Sequence, residues 1–130
     1  MKLYIVANRL PVKAVPRQDS YTFVRSEGGL ATGLDSLQIS MEKHWIGWPG
    51  VCVDNARQQI EIRQHLETMD FHPIFLSEEQ YHDYYEGYSN STIWPLCHYF
   101  FSHTTVRKEY WDSYQKVNAL FCEEICKQVG

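Results

Sequence analysis

A chain of 130 residues, 44% apolar and 22% charged, has the make-up of one globular domain. At that length it would bury roughly two-thirds of its unfolded surface. Its net charge of −4, with no Lys/Arg run longer than Arg107–Lys108, speaks against a nucleic-acid partner.

No apolar run approaches the ~20 residues of a membrane span. The apolar part of "MKLYIVANRLP" is too short for a secretory leader, so a cytoplasmic protein is expected. Cys52, Cys97, Cys122 and Cys126 form no CxxC pair. Cys122 and Cys126 fall one helical turn apart, but no second ligand pair has metal spacing, so reduced thiols and no metal are expected.

"LYIVA" is a continuous apolar run closed by "NRLP", the signature of a buried, parallel first strand. Pro11 and Pro16 predict a loop after it. Beyond "SEGG", Leu30, Ala31, Leu34 and Leu37 recur at helical spacing. "HWIGW" reads as a second strand stopped by Pro49 and Gly50. Ile62, Leu66 and Met69 mark a helix, although Ile60 and Ile62 also alternate as in a strand. "HPIFL" reads as a third strand, and "SEEQ" from Ser77 to Gln80 is a capping box that opens another helix.

Residues 84–100, "YYEGYSNSTIWPLCHYF", mix aromatic rings with polar groups. Pro95 predicts a kink in a helix begun near Ser89 or Asn90. Trp111, Tyr114, Val117, Phe121 and Ile125 form the apolar stripe of a last helix of about four turns. Strands alternating with helices imply an α/β fold with a parallel sheet.

In such sheets ligands bind beyond the carboxyl ends of the strands. Arg9 leaves the first strand there, and an arginine fork suits phosphate. Gly28 and Gly29 open the first helix, where bare backbone N–H groups and the helix dipole favour an anion. Taken singly, each has a plainer reading: a solvated arginine and a turn. The tyrosines and Trp94 suit a sugar, whose CH face stacks while its hydroxyls find polar tips, but a kinked helix packing its rings into a core explains them as well.

In combination, "ANRLPV", "SEGGLATGL", "WIGWPG", "YYEGYSNSTIWPLCHYF" and "YWDSYQKVNALF" resemble, in that order, the beginning of the trehalose-6-phosphate synthase family. These are retaining glucosyltransferases with two Rossmann-like lobes of the GT-B type. The resemblance spans the whole chain and implies that residues 1–130 are one incomplete domain, the first part of the N-terminal, acceptor-side lobe.

It further implies glucose transfer from UDP-glucose to glucose 6-phosphate, giving α,α-trehalose 6-phosphate and UDP. Arg9, Tyr85 and Trp94 then resemble acceptor-binding residues, Gly28 and Gly29 donor-binding ones, and Trp48 is carried over as a further cleft residue. No cofactor is implied, the partners are the two sugar substrates, and self-association is compatible with the family.

Glu27 departs from the family pattern, since many relatives carry a small residue before the glycines. The resemblance also implies that the cations of a second lobe, absent from this stretch, stabilise the leaving UDP. The 130 residues alone are therefore expected to be inactive. A non-catalytic relative with the same fold, and a transferase for another sugar or polyol phosphate, are the alternatives.

Overall fold

The computed structural model describes residues 1–26, 33, 41–93, 97 and 107–130. They divide into two compact units, Met1–Phe75 and Leu76–Gly130.

The first unit is built on a parallel sheet of order β1-β4-β5, formed by Lys2–Arg9 (β1), Glu42–Trp48 (β4) and Phe71–Pro73 (β5). Ile5 lies opposite Trp45, and Trp45 opposite Phe71, so one face of the sheet carries all three. Helix α1, Ala56–Glu67, packs on that face through Ile62 and Leu66, both fully buried. Burying each of these side chains stabilises the unit by about 1.5–3 kcal/mol.

Asn55 starts α1 by accepting hydrogen bonds from the backbone N–H groups of Arg57 and Gln58. The expected helix is therefore present, but Met69 lies past its end and is exposed. Ile60 is exposed too, so its alternation with Ile62 marks no strand. β5 is shorter than "HPIFL" predicts, ending at Pro73, which has no N–H for the ladder. Ile74 N–H still reaches Gly47 O at 2.9 Å.

The stretch expected to be a loop between Pro11 and Pro16 is instead a strand. Val12–Pro16 (β2) pairs antiparallel with Tyr21–Arg25 (β3). Pro16 is tolerated because it is the last residue of a two-stranded edge. Alternation decides the matter: Ala14 is buried in the core while Lys13 is exposed. The helix predicted on Leu30, Ala31, Leu34 and Leu37 lies outside the described residues, except that Gly33 is helical.

The second unit is helical. Ser77 accepts from Gln80 N–H at 3.1 Å, and Gln80 Oε1 accepts from Ser77 N–H at 3.0 Å, the capping box read from "SEEQ". It opens the short helix α2, Glu78–Tyr81, which continues into a π-helix over His82–Ile93. No new helix begins near Ser89 or Asn90, because both sit inside that π-helical run. Pro95 lies outside the described residues.

Helix α3 covers Lys108–Val129, 22 residues or about six turns, longer than its apolar stripe predicts. Val117 and Phe121 of the stripe are buried, whereas Trp111 is exposed. Among the described residues, no helix is long and apolar enough to cross a membrane.

Candidate functional site

The carboxyl ends of β1 and β4 are joined by a break in register. Val6 faces Ile46, yet the next pair is Arg9 with Trp48, so β1 carries one extra residue there. Such a bulge re-aims the side chains that follow it. Gly47 makes room: a Cβ at that position would stand 2.7 Å from Ala7 O and 3.1 Å from Arg9 C and Leu10 N. Leu10 N–H then donates to Trp48 O, and Ala14 N–H to Pro49 O, both at 2.9 Å.

This backbone sets the Arg9 guanidinium over the Trp48 ring, 5.6 Å from its centroid, within cation–π range. Trp48 is buried and Arg9 is exposed. The structure thus brings together two residues singled out in the sequence, at the strand ends where an open α/β sheet binds ligands.

Tyr85 belongs to the second unit. It lies half-buried on the π-helix and stacks on Tyr81, centroids 5.6 Å apart and planes 14° apart. Its neighbour Tyr84 is core: buried and tilted against Tyr114 at 5.8 Å. Burial, then the proximity of Tyr114 and Tyr85, push the Tyr84 hydroxyl above its ordinary range, so it stays protonated. The predicted donor glycines Gly28 and Gly29, and the acceptor tryptophan Trp94, lie outside the described residues.

One group of chemistry-bearing residues escaped the sequence reading. Glu42, His44, Asp70 and His72 gather toward the amino ends of β4 and β5, with His44 donating to Glu42 across 2.8 Å and meeting His72 across 2.9 Å. Its signal was in the sequence, since both "HWIGW" and "HPIFL" open on a histidine that follows a carboxylate by two residues.

An α/β sheet with a bulged arginine at its carboxyl end is the kind of lobe that nucleotide-sugar transferases use. Residues 1–130 match the family model described as Glycosyltransferase family 20, and the chain belongs to that family. It is 37% identical to the alpha,alpha-trehalose-phosphate synthase [UDP-forming] of Botryotinia fuckeliana, over 98% of this chain and 25% of that protein.

Among solved structures, it superposes with TM-score 0.66 and 23% identity on the E. coli protein described as bound with UDP-2-fluoro glucose, covering 98% of this chain and 25% of that one. The alpha,alpha-trehalose-phosphate synthase (UDP-forming) of Burkholderia xenovorans in complex with glucose-6-phosphate superposes equally well, TM-score 0.66 at 20% identity, over 98% of this chain and 25% of that one. The fold is that of part of the N-terminal lobe of a two-lobed GT-B glycosyltransferase. The chain spans about a quarter of the length of the relatives it matches.

Proposed function

We propose that the full-length protein transfers glucose from UDP-glucose to glucose 6-phosphate, with retention, giving α,α-trehalose 6-phosphate and UDP. The observation that carries this reading is the Arg9–Trp48 pair at the carboxyl ends of β1 and β4 in a member of this family. Support comes also from the relative named as a UDP-forming synthase and from the two structures described with a UDP-sugar analogue and with glucose-6-phosphate.

In this reading Arg9 grips the acceptor phosphate with two parallel N–H donors. The Trp48 ring beneath holds the guanidinium in place, so less side-chain freedom is lost when the phosphate arrives. Tyr85 and Trp94 line the acceptor sugar, and Gly28 and Gly29 present backbone N–H groups to the donor. The reaction runs in the cytoplasm without metal or cofactor. Positioning of the two sugars is this lobe's share of catalysis, while cations elsewhere in the full protein stabilise the departing UDP.

The test is UDP release by the full-length protein from UDP-glucose and glucose 6-phosphate. Arg9→Ala should lower kcat/KM for glucose 6-phosphate roughly 10- to 150-fold, the equivalent of about 1.5–3 kcal/mol for charge-assisted hydrogen bonds. Arg9→Lys should recover only part of that, because an ammonium cannot make the bidentate contact. Turnover of another sugar phosphate in preference to glucose 6-phosphate, or indifference to Arg9→Ala, would overturn the reading.

A further inference from the structure

The sequence twice sets a carboxylate two residues before a histidine: Glu42-Lys43-His44 in β4, and Asp70-Phe71-His72 entering β5. Residues i and i+2 of a strand share a face. β4 and β5 are parallel neighbours, with Ile46 opposite His72. The two motifs therefore stack into a patch of two carboxylates and two imidazoles, on the sheet face opposite the one that carries Trp45 and Phe71.

Within the patch, His44 Nε2–H donates to Glu42 Oε1 at 2.8 Å. That leaves His44 Nδ1 as an acceptor, which meets His72 Nε2 at 2.9 Å. Asp70 Oδ1 lies 3.9 Å from the same Nδ1. The two rings are nearly coplanar, 14° apart with centroids at 5.2 Å, and Tyr4 of β1 stacks on His44 at 5.3 Å. Both imidazoles are buried, whereas the side chains of Glu42 and Asp70 are 51% and 48% exposed. The patch is thus open to solvent on its acidic side.

The geometry points to a divalent transition-metal site of the zinc class, formed by His44 Nδ1, His72 Nε2 and the Asp70 carboxylate, with Glu42 behind His44. Zinc bonds of 2.0–2.1 Å put neighbouring donors of a tetrahedron ~3.3 Å apart. The separations here, 2.9 and 3.9 Å, bracket that value. Two imidazoles and a carboxylate select zinc, cobalt or nickel over magnesium or calcium, which want oxygen donors.

Glu42 on the remote nitrogen of a ligating histidine is the carboxylate–histidine–metal arrangement that fixes ring tautomer and orientation. Charge agrees as well: with neutral rings the patch carries two negative charges, which a divalent ion cancels.

Asp70 supplies an independent observation. It is the only described residue other than glycine at positive φ, +60°, a conformation uncommon for a residue with a Cβ. Its own backbone O accepts the Trp45 N–H at 3.0 Å, so β4 itself fixes where this carboxylate emerges. On binding, the proton that His72 Nε2 now directs at His44 moves to His72 Nδ1, and water completes the fourth position. His44 and Trp48 are four residues apart on one strand, or ~13 Å. The ion would therefore tie together β4, β5 and the turn that leaves α1, apart from the sugar-transfer end of the sheet.

The experiment is titration of chelator-treated protein with Zn2+ by calorimetry, and with Co2+ by absorption. It is done in a Cys122→Ser/Cys126→Ser background, so that the exposed thiols of α3 do not compete. One ion per chain is expected, with tetrahedral Co2+ bands that lack thiolate charge transfer. Asp70→Asn keeps a side chain that tolerates positive φ and should weaken binding at least about tenfold, with Glu42→Gln costing about tenfold through the outer shell. Absence of stoichiometric binding, or binding unmoved by Asp70→Asn, would overturn the assignment.

Discussion

Gly47 and Gly87 stand in the two different units, and neither has room for a methyl group, but the walls around them differ in kind. A Cβ on Gly47 would meet backbone: Ala7 O at 2.7 Å, with Arg9 C and Leu10 N behind it. A Cβ on Gly87 would meet the ring of Tyr110, whose nearest atoms stand at 2.7, 2.7 and 2.9 Å. The first wall belongs to a hydrogen-bonded sheet and cannot retreat without opening the bulge that aims Arg9. The second is one side chain that can turn about its own bonds. The sheet unit therefore sets positions through its main chain, and the helical unit through packing of rings that adjust.

Gly47→Ala should break this contrast most sharply. Overpacking against backbone costs about 1–3 kcal/mol, and the same change should lower activity of the full protein by moving Arg9. Denaturant melts together with acceptor KM would check both effects. Gly87→Ala should cost far less, because the gain in helix propensity, about 1 kcal/mol, offsets much of the displacement of Tyr110. A loss from Gly87→Ala as large as that from Gly47→Ala would show that the rings are as rigid as the sheet.

The smallest effect should be one of pH. The folded state holds the Tyr84 proton more tightly than the unfolded chain, whose ordinary value is about 10. The stabilisation is therefore full below pH 10 and is lost as pH rises from there through the raised folded-state value. Thermal melts above pH 10, read beside tyrosinate absorbance, should show this decline, and Tyr84→Phe should flatten it.

Much of the sheet could be read from the chain because its signals were local. "LYIVA" and "HWIGW" are apolar runs closed by turn residues, and they form parallel neighbours as expected. The capping box at Ser77 and Gln80 depends on two side chains three residues apart, and it is present. The hairpin of β2 and β3 was hidden because Pro11 and Pro16 outweighed the alternation between them. A proline that merely ends an edge strand looks, in sequence, the same as one that forbids it.

The site divides along the same line. Arg9 and Trp48 were each visible at the end of a strand, and register alone made them partners. The imidazole patch was missed because its halves lie 28 residues apart, and only strand order brings them side by side. Tyr84 and Tyr85 are adjacent in sequence with the same side chain, and it is helix winding that buries one and leaves the other half-buried.

That winding has a further consequence. Over His82–Ile93 the chain coils with i→i+5 pairing, which takes up more residues per turn than an α-helix. Deleting one residue there, or adding one, would swing everything downstream around the axis by about 100° per residue without breaking the coil. In this run the length of the chain, as much as its chemistry, decides which way each tyrosine looks, so single-codon insertions and deletions should retune it more strongly than point substitutions.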